Sequence, residues 1–429
     1  MRSLLLLFVI MIVTPSALVL PHLGVLLWTW ISIMNPHRLS WGFADNLPFV
    51  LIIASITITT WLFSREPKLP PSRVLMWAAF AFTIQATISS VAALHPEHSW
   101  PLWESVIKTF VLFFVAAALI NSKVRIQAML WIIGISFGFF ATNGVMATLS
   151  SGGMNVLRGP PRTMLYDNNA LALSLVMALP VLNYLRMSSA NQLVRTVLVV
   201  VMMFTLVAIL TSYSRGSLIA LAAGGLLFLR SAKGGVIVLI MLVALGLMVV
   251  QVMPERWHER VFTITSVESI QADSSFSGRT DAWYVSWRMA KDRPLTGGGF
   301  SAVEHLGTFI KYRPDATRGR AAHSVYFQVL GDHGFIGLGL YLAMLAAAWL
   351  HLRRILLRAR GRSELLWAQQ MARMLQVSLL CFLVGGAALS SAYHDFILII
   401  LVISMNLDVL TAEKTVKISP QLSAVKSAL

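Results

Sequence analysis

Long apolar runs recur along almost the whole chain, and short polar stretches separate them. We place these runs at 46–63, 74–93, 103–120, 126–148, 168–185, 195–211, 213–229, 235–252, 334–352, 371–390 and 394–411. Each is close to the roughly 20 residues with which an α-helix crosses a hydrocarbon core about 30 Å thick. Spanning β-strands would be about half as long and would alternate in polarity. The pattern therefore predicts an all-α polytopic membrane protein.

The stretch 4–34 is also apolar, but Pro15 and Pro21 interrupt it. One broken span there would give twelve transmembrane helices with both termini in the cytoplasm. Two full spans would give thirteen helices and an N-terminus outside. A cleaved signal peptide is disfavoured because only Arg2 precedes the apolar stretch. We predict the twelve-helix arrangement.

Basic residues mark one side of the membrane. They fill the short loops at 65–73, 123–125, 186–195, 230–233 and 351–362, which the positive-inside rule assigns to the cytoplasm. The chain has 34 Lys and Arg but only 18 Asp and Glu. Because basic cytoplasmic loops account for this excess of positive charge, we expect no nucleic-acid partner. The predicted division is transmembrane helices 1–9 in residues 1–252, a large outer loop with short helices in 253–333, transmembrane helices 10–12 in 334–411 and a cytoplasmic tail in 412–429.

The composition argues against metal and redox chemistry. Hydrophobic residues make up 57% of the chain, and the one cysteine, Cys381, lies in an apolar run, so it can form neither a disulfide framework nor a cysteine-based metal site. The sequence has no HExxH motif and no Asp-x-Asp pair. We expect no metal and no other cofactor.

Charged and polar residues on the outer side are the candidates for function, because topology does not explain them. A tight turn carries Arg215. Arg279 precedes a predicted short helix with Trp283 and Trp287 on one face, Asp281 in its first turn and Lys291 in its last. The other candidates are Arg158, Arg162, Asn168 and Asn169 in one outer loop, Lys108 at the outer end of a span, and His323 with Tyr326 just before another span.

Arginines clustered at the outer membrane boundary indicate an anionic ligand at the level of the lipid headgroups. Guanidinium groups bind phosphate oxygens through paired hydrogen bonds, so converging arginines could hold the diphosphate of a lipid. Topological anchoring or a solvated loop would also account for the arginines, and an interfacial amphipathic helix would account for the tryptophans.

Three ordered motifs resemble the O-antigen ligase and polymerase superfamily of bacterial membrane proteins. They are "SRGS" at 214–217, "GRTDAW" at 278–283 with "RPLTGGGF" at 293–300, and "AHSVYFQVLGDHGFIGLG" at 322–339. The segments "NPHRLSWGFA" and "YDNNALAL" are similar to a ligase branch associated with exosortase systems.

The resemblance implies an enzyme of the bacterial inner membrane whose active site faces the periplasm. It would transfer a glycan from undecaprenyl diphosphate to a hydroxyl of lipid A-core, without a metal and as a monomer among membrane lipids. Arg215, Arg279 and His323 match the family's catalytic residues. Arg158, Arg162, Asn168, Asn169, Lys108, Trp283 and Tyr326 are expected to bind diphosphate or glycan. A glycan polymerase, a protein O-glycan ligase and a transporter of anionic lipids stay open as alternatives.

Overall fold

In a computed structural model, the structure describes residues 2–40, 43–71, 73–152, 156–229, 251, 255 and 274–426. The regular structure in these ranges is helical and contains no strand, which confirms the predicted all-α class. The predicted span at 235–252 and the first part of the outer loop lie almost wholly outside the described residues.

The helices are numbered here in chain order within the described ranges. They are α1 Arg2–Val19, α2 Pro21–Met34, α3 Phe49–Phe63, α4 Val74–Val91, α5 Pro96–Leu119, α6 Lys123–Ser151, α7 Asn168–Ser188, α8 Gln192–Leu210, α9 Arg215–Leu229, α10 Ser274–Asp292, α11 Leu306–Tyr312, α12 Val325–Arg358, α13 Leu366–Gly385 and α14 Asp395–Lys426.

Eight of the described helices are long and apolar enough to cross a membrane, namely α4 to α8 and α12 to α14. Four further apolar helices are shorter, at Leu6–Val19, Pro21–Met34, Phe49–Phe63 and Arg215–Leu229. The described residues therefore support a multi-pass protein without confirming the count of twelve. The proposed domain boundaries stay a prediction.

The N-terminal apolar stretch differs from the sequence expectation. The chain breaks at Leu20, and α2 begins at Pro21. Helix α1 contacts the turns Pro36–Leu39 and Phe43–Asn46, which lie beyond the far end of α2. Because the 14 residues of α2 extend about 21 Å, α1 must fold back along it. The single broken span expected for 4–34 is therefore corrected to an antiparallel helical hairpin.

Helices α7 and α14 form the centre of the bundle. In their most apolar stretches 83% and 78% of residues are buried, against 22% in α8, which lies at the edge. Two ends of the bundle can be distinguished. Among the described residues, the basic end comprises the junctions 63–71, 119–123, 188–192 and 358–366. The site end comprises 91–96, 156–168, 210–215, 385–395 and the segment 293–325. The short basic loops that the structure describes thus lie at one end, as the sequence predicts.

A backbone contact fastens the segment 293–300 to α12 at the site end. Gly334 has φ 68° and interrupts the helical geometry of α12. The N–H groups of Gly298 and Gly299 donate to the carbonyls of Gly331 and Asp332 at 2.9 and 3.0 Å. We call this contact between 297–299 and 331–334 the glycine lock.

Asp332 extends the lock to the centre of the bundle. Its buried carboxylate accepts hydrogen bonds from the Ser301 N–H at 3.0 Å and from the Tyr393 hydroxyl at 2.8 Å. We call residues 274–322, on the predicted outer side, the outer segment. Since Tyr393 lies just before α14, the outer segment, α12 and the residues before α14 are joined at one carboxyl group. Because the Asp332 carboxyl group is buried, loss of either partner would leave a polar atom unsatisfied, at a cost of roughly 1–3 kcal/mol.

Replacing Gly299 by alanine is expected to destabilise the lock. Gly299 has φ 85°, and a β-carbon there would collide with Ala93. An unfavourable φ alone costs roughly 1–3 kcal/mol. We expect Gly299→Ala to lower the melting temperature in detergent and to speed proteolysis within 293–322. Gly339→Ala is the matched control, because its β-carbon would enter open space. Equal melting and cleavage in both variants would contradict the role of the lock.

Candidate active site

Four segments meet at the site end, and each carries residues singled out in the sequence. We call them the site segments: the loop 158–169, the turn 211–217, residues 278–283 of α10, and residues 319–327 at the start of α12. The Asn168 side chain donates to the Ser212 carbonyl at 2.8 Å, which joins the first two. The Trp283 indole donates to the Ala322 carbonyl at 2.7 Å, which joins the last two.

Arg215 is fixed by a tight turn and a capped helix. Tyr213 takes a left-handed conformation with φ 59°, which reverses the chain after α8. Ser214 then caps α9, because its hydroxyl accepts from the Ser217 N–H at 3.4 Å and pairs with the Ser217 hydroxyl at 2.9 Å. Arg215 is the first residue of α9 and is half-buried. The serines around Arg215 are therefore turn and cap residues that set its direction.

Residues close in sequence to Arg215 and to His323 contact one stretch of chain, 385–388. A β-carbon at Gly216 would lie 3.3 Å from the Ala388 side chain, and one at Gly386 would lie 3.1 Å from the Val325 side chain. Gly216 follows Arg215 directly, and Val325 is two residues from His323. The small residues at these contacts thus bring the start of α9 and the start of α12 to the same surface.

Arg279 does not lie where the sequence analysis expected. Helix α10 begins at Ser274, so Arg279 is in its second turn and Asp281 is outside the first turn. The expectation that Arg279 precedes the helix and that Asp281 lies in its first turn is therefore wrong, because the helix extends further back than its apolar pattern suggested. Asp281 instead forms an ion pair with Arg313 within the outer segment. The half-buried Arg279 is positioned by the body of α10.

Sequence reasoning did not select Arg320, which lies beside Arg279. A β-carbon at Gly278 would collide with the guanidinium of Arg320, so that group covers the glycine directly before Arg279. The sequence does show a basic run, "RGR" at 318–320, just before His323. Spacing along the chain does not reveal that this run contacts Gly278. The structure therefore adds Arg320 to the arginines expected in the site segments.

His323 occupies a constrained position between two fixed neighbours. Its backbone is left-handed with φ 45°, which is uncommon for residues other than glycine. Ala322 accepts the bond from Trp283, whose ring stacks on Phe327 with centroids 5.2 Å apart, and Ser324 is the N-cap residue of α12. Such strain persists only where the surroundings impose it, and it often accompanies function.

The electrostatic surroundings keep the imidazole of His323 neutral. Burial lowers its pKa below the ordinary value of 6.5, and the positive charge of Arg279 lowers this pKa further. The carboxylate of Asp167 acts in the opposite direction and raises it. A neutral imidazole near neutral pH can accept a proton, which is the state that a general base requires.

The remaining candidates in the loop 158–169 have structural contacts. Arg158 is exposed, and its guanidinium lies over the Tyr166 ring, 5.5 Å from the centroid. Arg162 pairs with Asp45, which also binds Arg38 at 3.1 Å. Although burial pushes the pKa of Asp45 upward, hydrogen bonds from the two arginines lower it. The Arg162 contact therefore ties this loop to the turn after α2.

Four other candidates are also engaged. Asn168 and Asn169 connect α7 to the 211–217 turn through side-chain and backbone bonds. The Tyr326 hydroxyl donates to the Leu383 carbonyl at 2.7 Å. Lys108 is exposed and pairs with Glu104 on the same helix at 2.5 Å, so its bonding gives no support for a place among the site segments. Within the described ranges, no group of three or more His, Cys, Asp or Glu side chains could hold a metal ion.

Comparison with known families divides the chain into two parts. Residues 198–342 match the model of a family described as O-antigen ligase, and this range contains Arg215, Arg279, Arg320 and His323. Residues 1–190 match a family of unknown function. No curated protein matches the chain. The first match confirms the resemblance drawn from the three motifs.

Replacing Gly278 by alanine should displace the Arg320 guanidinium and leave the fold intact, because the far end of a flexible side chain can move aside. We expect weaker binding of a prenyl diphosphate, by about tenfold if one charge-assisted hydrogen bond is lost. Calorimetry on the purified protein measures this, with Gly339→Ala as control. Unchanged affinity would remove Arg320 from the anion site.

The electrostatics of His323 generate a pH prediction for the catalytic rate. Since its pKa is lowered, the rate should stay constant as pH falls through 6.5 and decline only at lower pH. Asp167→Asn removes the charge that raises this pKa and keeps a good capping residue, so the decline should move to still lower pH. Asp315→Asn, an exposed change in the outer segment, serves as control. A decline that moves to higher pH in Asp167→Asn would contradict the assignment of His323 as the group that accepts the proton.

Proposed function

We propose, from the match of residues 198–342 to the family described as O-antigen ligase, that the chain transfers a glycan from undecaprenyl diphosphate to a hydroxyl of lipid A-core. The reaction would take place at the periplasmic face of the bacterial inner membrane. The observation that supports the proposal is a set of contacts at one end of an apolar helical bundle: the starts of α9 and α12 both contact the stretch 385–388, Arg320 covers Gly278, and the charge of Arg279 acts on His323.

The arginines would act on the leaving group. When the acceptor oxygen attacks the anomeric carbon, the bond from that carbon to the diphosphate oxygen breaks and negative charge develops on the diphosphate. Fixed cations beside this oxygen lower the barrier, because they need no reorganisation as the charge forms. Arg215 on a capped helix start and Arg279 within a helix meet this requirement better than residues of a mobile loop would.

His323 would act on the acceptor. A sugar hydroxyl is a poor nucleophile, and a base that takes its proton as the new bond forms contributes roughly 10² to 10⁴ in rate. The proton moves from the acceptor hydroxyl to the imidazole, and the electron pair of the broken bond leaves with the diphosphate. The lowered pKa of His323 supports this role, since the imidazole is unprotonated at the start.

The depth of the site supports a lipid donor. The site segments lie where α7, α9 and α12 begin, at the boundary between apolar helices and the polar outer segment. A polyprenyl diphosphate presents its phosphates at this level while its tail remains in the hydrocarbon. A soluble nucleotide sugar would need no such placement.

Arg215→Ala and Arg279→Ala test the proposed binding of the diphosphate by these two arginines, which we call the diphosphate clamp. Each should reduce glycan transfer about 10²- to 10³-fold, the range typical for loss of one electrostatic contact in a transition state. The assay uses purified full-length protein, a lipid-linked glycan donor and lipid A-core. Arg195→Ala, at an exposed arginine of the basic end, is the matched control. Transfer close to that of the control would refute the clamp.

His323→Ala should lose about 10²- to 10⁴-fold in turnover while it still binds the donor. Turnover and donor affinity are measured on the same preparation. Loss of donor affinity with intact turnover would place His323 in the anion clamp and not on the acceptor. Offering lipid A-core, a second lipid-linked glycan and a serine-containing peptide as acceptors separates ligase, polymerase and protein glycosylation activities.

A further inference from the structure

A cavity of about 430 Å³ lies between α7, α8, α9 and α13, away from the site segments. Ligand pockets in proteins commonly have volumes of this size. Its walls are almost entirely apolar, with Val176, Met202, Leu206 and Phe228 among them. Along α7 it extends from Val176 to Arg186, a distance of about 15 Å at the helical rise of 1.5 Å per residue.

One end of the cavity is polar. Arg186 is the one charged side chain among the described residues that line it, and it lies in the last turn of α7 at the basic end. Its Nε and Nη2 atoms donate to the Asn183 side-chain oxygen at 3.1 and 2.9 Å. Asn183 therefore holds the half-buried guanidinium at the mouth of an apolar cavity.

Tight helix contacts separate this cavity from Arg215. A β-carbon at Gly385 would collide with Leu173 and would lie 3.1 Å from the Ala220 side chain. Helices α7, α9 and α13 are thus in contact with one another between the site segments and the end of the cavity that is nearer to them. These contacts leave no direct passage between the helices from Arg215 into the cavity, which disfavours the tail of a donor bound at Arg215 as occupant.

The dimensions and the charge fit a lipid from the opposite leaflet. The length of about 15 Å is half of the hydrocarbon thickness of about 30 Å, which is the depth that one acyl chain reaches from its own headgroup. Basic pockets between transmembrane helices on the cytoplasmic side bind anionic headgroups. We propose that this cavity binds one acyl chain of an anionic phospholipid from the leaflet at the basic end, with its phosphate bound by Arg186.

Such a lipid would support helix α9. The cavity is lined by Leu221, Gly224 and Gly225, which lie on the helix that begins with Arg215. A bound acyl chain would supply the packing contacts that the cavity otherwise lacks on this side of α9. The proposal does not depend on glycan transfer, because it concerns other residues and the opposite end of the bundle.

Native mass spectrometry tests the proposal with full-length protein in detergent. The probes are phosphatidylglycerol and phosphatidylcholine with identical acyl chains, added in equal amounts. We expect wild-type protein to retain phosphatidylglycerol, and Arg186→Ala to retain about tenfold less of it, because a charge-assisted contact with phosphate is lost. Gly225→Leu should also retain less, because a side chain at Gly225 has no neighbour within 4 Å and can fill the cavity. Arg195→Ala should behave as wild type.

Several outcomes would overturn the proposal. Equal retention of both lipids would remove the role of the charge, and normal retention by both Arg186→Ala and Gly225→Leu would place the lipid elsewhere. A polyprenyl phosphate that displaces phosphatidylglycerol and is itself excluded by Gly225→Leu would make the cavity a donor site. Melting curves without added lipid identify any variant that has failed to fold, and the other variant then decides the question.

Discussion

The glycine lock is the contact on which the arrangement of the site depends. It joins two stretches of backbone, 297–299 and 331–334, through hydrogen bonds that allow no side chain between them. The outer segment that carries Arg279 and the helix that follows His323 are thereby fixed to each other and, through Asp332 and Tyr393, to the centre of the bundle. The lock adds to the hydrogen bond from Trp283 to the Ala322 carbonyl, which joins α10 to the residue directly before His323.

Rigid placement matters because the proposed chemistry is electrostatic. Arginines stabilise a developing diphosphate charge only if they are already in position when the bond breaks. The same positive charge lowers the pKa of His323, so the groups that would bind the leaving group also keep the base neutral. Asp167, held as the cap of α7 by bonds from the Asn169 and Ala170 N–H groups, limits this effect. Donor binding and base strength are therefore coupled through a few charges.

The sequence predicted the helical class and the positions of the main spans, because apolar runs of membrane length are rare outside membrane-spanning helices. It also selected Arg215, Arg279 and His323, since charges beyond the positive-inside pattern stand out. It missed the hairpin of α1 and α2, because a proline break does not reveal whether the chain continues or reverses. The start of α10 and the neighbour Arg320 were missed because both depend on contacts between distant segments. The motif glycines at 297–299 are accounted for by the backbone packing of the lock.

The proposed mechanism requires that Arg215 and Arg279 bind a lipid diphosphate whose sugar faces His323. A density map of the full-length protein with a bound prenyl-diphosphate sugar tests it most directly. We expect phosphate oxygens within about 3 Å of both guanidinium groups and the His323 imidazole on the side of the anomeric carbon. A diphosphate bound at Lys108 or Arg158, with no contact to Arg215 or Arg279, would contradict the proposed mechanism.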